Sequence, residues 1–205
     1  MIVLENKLEE GFGTAIILAG GKSSRMGFDK QFLQVDDRRI MDNLILKLEE
    51  EFDEIIIVTN KTEKYKDYKH KIVKDIIVGK GPLSGIHVGL RESSSNYAFV
   101  IACDMPNLNR DYIKYMKTKM IGKDLDGCVS LLGDQIEPFH GFYSKNIIIQ
   151  IEKQLANNMR SVNRLIKGLN FLKISEDEAR SFSPNWNMFV NINTQEDLNK
   201  YKSDQ

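Results

Sequence analysis

The apolar positions along the chain change period several times, and each change marks an element. Residues 14–19, TAIILA, are a continuous run rich in β-branched side chains, the pattern of a strand covered on both faces. RIMDNLILKLEEEF then sets Ile40, Met41, Leu44, Ile45 and Leu48 at helical spacing. DEIIIVTN (53–60) returns to a buried-strand pattern, and HKIVKDI (70–76) reads as a shorter third strand. GPLSGIHVGLRESS opens a helix with Pro82 at its first position and Ile86 and Leu90 one turn apart. NYAFVIACDMP (96–106) is the most strand-like stretch and stops at Pro106. NRDYIKYMKTKM follows as a helix with Asn109 as its cap.

This order predicts an α/β protein with a mainly parallel, Rossmann-like sheet between two layers of helices. Residues 1–205 are expected to form a single three-layer domain, with 1–12 ahead of the first strand as an N-terminal extension. In such sheets ligands bind beyond the carboxyl ends of the strands, near the point where strand order reverses. The loop after TAIILA, Asn60 after the second strand and Asp104 after YAFVIAC would share that edge. The second half is less regular. DGCVSLLG and EPFHGFYSK read as a strand pair, NIIIQIEKQLANN and SVNRLIKGL as helices, and FLKIS and MFVNI as later strands. Thr194 and Asp197 have capping-box spacing ahead of a last helix.

Composition narrows the classes. The chain has 205 residues, 41% hydrophobic and 28% charged, enough for one substantial core. Its 29 basic and 29 acidic residues cancel, which argues against a protein that covers long stretches of nucleic-acid backbone. Runs such as IIIV at 55–58 are too short to cross a membrane. MIVLENKLEEGFG has acids where a signal peptide needs bases, so a cytoplasmic location is expected. Cys103 and Cys128 lie in apolar stretches without a CxxC pair and are expected to be buried thiols rather than zinc ligands or a disulfide.

The chemistry concentrates in LAGGKSSRMGFDK, residues 18–30, with Gly20, Gly21 and Gly27 among Lys22, Arg25 and Lys30. It is neither a Walker A motif nor GxGxxG. Adjacent glycines let main-chain N–H groups converge on an anion, and Arg25 and Lys30 add charge; the alternative is an irregular surface turn with solvated cations. Asp104 suits a magnesium ion shared with substrate phosphates, or is a turn aspartate before Pro106. Their meeting at one sheet edge favours phosphoryl or nucleotidyl transfer. His87 and His140 read as packing or surface residues, and Glu137 is a second-rank candidate. Asn191 and Asn193 either belong to a site or terminate a strand and cap the last helix. KTEKYKDYKHK (61–71) reads as a solvated segment. Arg160 and Arg164 are further candidate contacts for an anionic substrate.

LAGGKSSRMGFDK, GPLSGIHVGL, ACDMP and NINTQEDL, in that order, resemble the nucleotidyltransferases that build nucleotide-sugar-type and cofactor diphosphates. Within that group they are most similar to the molybdenum cofactor guanylyltransferase family, commonly called MobA, from about Thr14 to Leu198. The resemblance implies a nucleotide-diphospho-sugar transferase fold and a reaction in which the terminal phosphate of molybdopterin attacks the α-phosphorus of GTP. It implies main-chain contacts to the nucleotide from Leu18, Ala19 and Gly20. Gly21 and Arg25 would shape and charge the triphosphate pocket, and Lys30 would contact the phosphates. Asn60 and Asp75 match positions that recognise the nucleoside, Asp104 matches the Mg2+ ligand, and Asn191 and Asn193 match a pair near the junction of the two substrates. Arg25, Lys30 and Asp104 would thus carry catalysis. The implied partners are GTP and molybdopterin, with room for transient contact with molybdenum-cofactor proteins, and neither nucleic acid nor membrane. Two positions depart from the pattern: Gln195 stands where proline is usual, and Gln31 follows Lys30. DKQFL is similar there to the cytidylyltransferases of isoprenoid synthesis, which keeps CTP, or a sugar phosphate, open as an alternative.

Overall fold

A computed structural model of the chain describes residues 11–20, 34–35, 38–77 and 79–203. The first half alternates as its hydrophobic periods predict. β1 (Thr14–Leu18) is buried at every residue, and a short antiparallel pair, β2 (Gln34–Val35) and β3 (Arg38–Arg39), leads into α1 (Ile40–Glu49). Then come β4 (Glu54–Val58), β5 (Lys71–Val73), α2 (Pro82–Glu92), β6 (Tyr97–Ala102) and α3 (Arg110–Met120). The second half supplies β7 (Gly127–Leu132), β8 (Gln135–Ser144), α4 (Ile148–Ala156) and α5 (Val162–Lys167). β9 (Phe171–Ile174), α6 (Glu176–Arg180) and α7 (Gln195–Ser203) complete the order.

Among the described residues seven strands form one sheet in the order β5-β4-β1-β6-β8-β7-β9, in which only β8 runs against the others. The chain steps outward from β1 to β4 and β5, then returns through α2 to β6 on the other side of β1. That reversal opens a crevice at the carboxyl edge. The register makes the edge level, because Leu18 pairs with both Val58 and Ala102.

Alternation along β1 feeds two cores. Ala15 and Ile17 pack with Met41, Leu44 and Leu48 of α1 and with Tyr112, Ile113 and Met116 of α3. Ile16 and Leu18 face Leu83, Ile86 and Leu90 of α2, which α4 covers through Ile151 and Leu155. α2 is therefore buried from Leu83 to Leu90. It approaches the sheet closely because Gly85 and Gly89, one turn apart, face β1. A Cβ on Gly89 would lie 2.7 Å from Ile16 Cγ2, and one on Gly85 would lie 3.0 Å from Leu18 Cδ2.

The helix ends obey capping chemistry. Asn109 accepts a hydrogen bond from the Tyr112 amide at 2.9 Å. Thr194 accepts from the Asp197 amide at 3.0 Å, while Asp197 accepts from the Thr194 amide at 2.7 Å. A second capping box, Ser175 with Glu178, starts α6.

Three expectations change. MFVNI is not a strand: Asn187–Phe189 form a single 3₁₀ turn after Trp186, whose φ is +62°. The extended residues that follow join no ladder, because the Ile192 amide donates to the Asp104 carbonyl at 2.8 Å. The segment 61–71 is solvated only through its charged residues. Tyr65 is fully buried in the core, and Tyr68 donates to the Asp42 carboxylate. Within 1–12, Phe12 is part of the core, stacked on Tyr97 at 5.0 Å between ring centres.

Candidate functional site

A cleft of about 740 Å3 lies at the carboxyl edge, where strand order reverses, within the range of roughly 300–1,000 Å3 usual for small-molecule sites. Its floor is the level strand ends, Leu18, Val58 and Ala102. The turn after β1 runs tight against the sheet: the Ala19 amide donates to the Val58 carbonyl at 2.8 Å, and Gly20 is exposed.

One half of the cleft is built by β4, β5 and the start of α2. The Thr59 amide donates to the Val73 carbonyl at 2.9 Å, holding the exits of β4 and β5 together. Asn60 and Asp75 consequently meet, with Asn60 Nδ2 donating to Asp75 Oδ2 at 3.1 Å. Their remaining hydrogen-bonding capacity suits the edge of a heterocycle or a ribose. Gly79 and Gly81, at φ +79° and +74°, turn the chain into α2 in the left-handed region that favours glycine. The positive N-terminal end of α2 enters the same half through Gly81, Pro82 and Gly85.

The other half is built by β6, β8 and the segment before α7. Asp104 follows β6, and its main chain is pinned by the neighbouring amides. Cys103 donates to the Leu18 carbonyl at 3.2 Å and Met105 to Ala102 at 3.1 Å. Ile192 is buried against Ile40, Leu198 and Tyr201, so period-two alternation leaves Asn191 and Asn193 lining the cleft. Magnesium is typically held by one or two carboxylates together with substrate phosphates rather than by an all-protein cage. A single carboxylate on a fixed main chain fits that donor set. The described residues contain no group of three His, Cys, Asp or Glu side chains arranged for a metal.

Leu18, Ala19, Gly20, Asn60, Asp75, Asp104, Asn191 and Asn193 thus converge on one cleft. Gly21, Arg25 and Lys30 lie outside the described residues. The cleft also contains residues that sequence reasoning missed: Thr59, Lys61, Cys103 and Phe139. Lys61 directly follows Asn60 and was legible on that ground, whereas nothing local marks Phe139. Cys103 corrects the expectation of two buried thiols. It is half-buried in the cleft, while Cys128 is buried in the core with its pKa pushed up to about 12 by desolvation.

The remaining candidates stand elsewhere. His140 is fully buried, with ring centres of Phe99 and Phe189 at 5.1 and 5.5 Å. Burial lowers its pKa to about 3, opposed only in part by the Met188 main chain; neither ring nitrogen meets a partner at full hydrogen-bonding geometry. His87 is buried against Glu152, at 2.9 Å. Glu137 pairs across to Ser130 rather than lining the cleft, and burial raises its pKa. Arg160 and Arg164 are exposed and do not line it either.

A mainly parallel sheet, a cleft at its reversal point that begins at the Leu18–Gly20 turn, and Asp104 at the end of β6 in that cleft together define a nucleotidyltransferase-type protein. Residues 15–173 match the MobA-like NTP transferase domain, and the chain belongs to that family. It is 51% identical over 195 residues to a probable molybdenum cofactor guanylyltransferase of Peptoclostridium acidaminophilum, covering 93% of this chain and 88% of the relative. It is 47% identical over 191 residues to a molybdenum cofactor guanylyltransferase of Syntrophotalea carbinolica, covering 93% and 91%. In fold it resembles molybdopterin-guanine dinucleotide biosynthesis protein A from Archaeoglobus fulgidus, with a TM-score of 0.79 at 21% identity over 93% of this chain and 97% of that one. The 2-C-methyl-D-erythritol 4-phosphate cytidylyltransferase of Francisella tularensis shares the fold at a TM-score of 0.69 and 15% identity, over 94% and 100%. Among the described residues no helix is long and apolar enough to cross a membrane.

Proposed function

We propose that this protein transfers GMP from GTP to the terminal phosphate of molybdopterin, forming the guanine dinucleotide and pyrophosphate. The observation that carries the reading is the two-part cleft around Asp104, in a chain about half identical to proteins named for this activity. An oxygen of the acceptor phosphate forms a bond to the α-phosphorus of GTP, and the bond from that phosphorus to the β-bridging oxygen breaks. The attacking phosphate is largely ionised near neutral pH, so no serine nucleophile or histidine base is needed. Consistent with this, His87 and His140 are buried away from the cleft.

The chain's task is to bring two polyanions together and hold them in line, which is worth on the order of 7–11 kcal/mol when the geometry is good. In this reading Asn60 and Asp75 engage the nucleoside, and the α2 N-terminus with the main chain at Leu18, Ala19 and Gly20 receives the nucleotide. Arg25 and Lys30 offset charge on the triphosphate, and Gly21 helps to shape its pocket. Asn191 and Asn193 orient the acceptor. Asp104 is the residue that would hold Mg2+, which when bound neutralises charge developing on the phosphates. Contact with molybdenum-cofactor proteins would come at delivery of the product.

The test is pyrophosphate release by purified protein with magnesium and molybdopterin, offered GTP and CTP in parallel. Release with GTP alone, lost in Asp104→Ala, is the expected result. Release with CTP alone would replace the named nucleotide, and release with neither would refute guanylyl transfer to this acceptor.

A further inference from the structure

We propose that the phenyl ring of Phe139 is the platform on which the flat pyrimidinone ring of the acceptor's pterin lies, its polar edge met by the side-chain amides of Asn191 and Asn193. The assignment rests on the guanylyltransferase reading and deepens it: it names the residue that holds the second substrate's ring.

The argument begins with a break in the sheet. β7 and β8 pair at Cys128–Phe142 and again at Ser130–Glu137. Between those rungs, Val129 of β7 faces the whole stretch Pro138, Phe139, His140 and Gly141. The β6–β8 ladder ends at Val100–Gly141, although β6 runs on to Ala102. β8 therefore departs from β6 just where β6 delivers Asp104 to the cleft. Bulges of this kind re-aim side chains beside active sites.

The departure is held from several sides. His140 takes φ +64°, a conformation that is strained for a non-glycine residue, and its ring is locked among Phe99, Tyr112 and Phe189. The buried Tyr143 hydroxyl donates to the Pro138 carbonyl. Gly141 allows close approach, since a Cβ there would lie 2.8 Å from the Cys128 carbonyl oxygen. With both neighbours fixed, Phe139 packs against both cores and still lines the cleft. It is the only aromatic residue among the described residues of that lining.

Position separates this ring from the nucleoside half. Asn60, Asp75 and Gly81 come from the β4–β5 side of β1, whereas Phe139, Asp104, Asn191 and Asn193 come from the β6–β8 side. The flat pyrimidinone ring of a pterin, with donors and acceptors on its edge, matches a phenyl ring that shares one cleft with two carboxamides. A pre-set platform of this kind is worth roughly 5- to 150-fold in affinity for a stacked ring.

The experiment measures equilibrium binding of molybdopterin and of GTP separately, by calorimetry, on wild type, Phe139→Leu and Phe139→Tyr, with thermal melts to confirm folding. Phe139→Leu keeps the apolar bulk and removes the π face. It should weaken molybdopterin about tenfold and leave GTP affinity within about twofold, and Phe139→Tyr should restore molybdopterin binding. In turnover the same split should appear as a raised KM for molybdopterin with kcat little changed. Unchanged molybdopterin affinity in Phe139→Leu would overturn the assignment alone; so would an equal loss for GTP, which would make the ring a base platform instead. A wild type that binds GTP but not molybdopterin would overturn the functional reading, and this assignment with it.

Discussion

Replacing Gly89 by alanine tests whether the approach of α2 to the sheet is as tight as its two glycines make it. The new Cβ would lie 2.7 Å from Ile16 Cγ2 and 2.8 Å from Ile16 Cδ1, well inside van der Waals contact. Ile16 cannot swing aside cheaply. It is fully buried in β1 between β4 and β6, and its β-branched χ1 is stiff. Overpacking of this kind costs about 1–3 kcal/mol. Against it stands the gain from replacing a mid-helix glycine, about 0.8–1 kcal/mol. With two contacts under 3.0 Å the cost falls in the upper part of that range, about 2–3 kcal/mol, so Gly89→Ala should destabilise the protein by about 1–2 kcal/mol net. For a chain of this size that lowers Tm by about 2–8 °C.

Ile16→Ala removes Cγ2, Cδ1 and Cγ1, the last at 3.1 Å from the new Cβ, and alone costs about 2–5 kcal/mol. In that background the clash is gone and only the helix gain remains, so Gly89→Ala should become stabilising by about 1 kcal/mol. Urea unfolding of the four members of this cycle measures the sign in each background. A raised Tm for Gly89→Ala in the otherwise native chain, or the same sign in both backgrounds, would refute the tight-contact reasoning. The consequence for function is direct, because α2 carries Gly81, Pro82 and Gly85 into the cleft. A helix displaced by the new methyl should also weaken GTP binding.

Other outcomes follow from the site and its surroundings. Asp104→Asn should lower turnover by about a hundredfold or more with little change in Tm, since asparagine keeps the side chain's shape and the main chain there is held by the Cys103, Met105 and Ile192 amides; normal pyrophosphate release would remove Asp104 from the chemistry. Asp75→Ala breaks the hydrogen bond from Asn60 and should raise the KM for GTP about tenfold or more, with kcat less affected, as read from initial rates. His140 gives a pH signature. Its folded pKa is lowered to about 3 from an ordinary 6.5. As pH falls below about 6.5 the unfolded chain takes up a proton that the folded chain refuses, so stability declines steadily towards pH 3. Thermal melts between about pH 7 and pH 4.5 should show this slope, and His140→Asn, which tolerates positive φ, should flatten it. Glu178 works in its own lower window, held to about 2 by hydrogen bonds from Tyr115 and Lys119. Its contribution, present above about pH 4.5, disappears as pH falls towards 2, so the Tm gap between wild type and Glu178→Gln should close on acidification.

Local chemistry makes much of this protein legible in its sequence. The strand-like runs at 14–19 and 97–102, the helical spacing of Ile40 to Leu48, and the caps at Asn109 and Thr194 each depend on residues within a few positions of one another. Their period or side-chain geometry allows one solution. A parallel β/α order then requires a carboxyl edge, which is why Leu18, Asn60 and Asp104 were assignable to one side. Non-local partners decided the rest. The sheet order that turns back between β1 and β6, and the meeting of Asn60 with Asp75, depend on which strands find each other. The Gly85–Gly89 face reads from sequence only as two weak helix formers; its purpose lies in Ile16 and Leu18, some seventy residues away. MFVNI has strand-like side chains, yet the Ile192 amide was taken by Asp104 and no ladder formed. Phe139 is one apolar residue among many in the sequence, and it becomes a cleft residue because β8 breaks register against a single residue of β7. Register is a property of two strands at once, and no period within either strand encodes it.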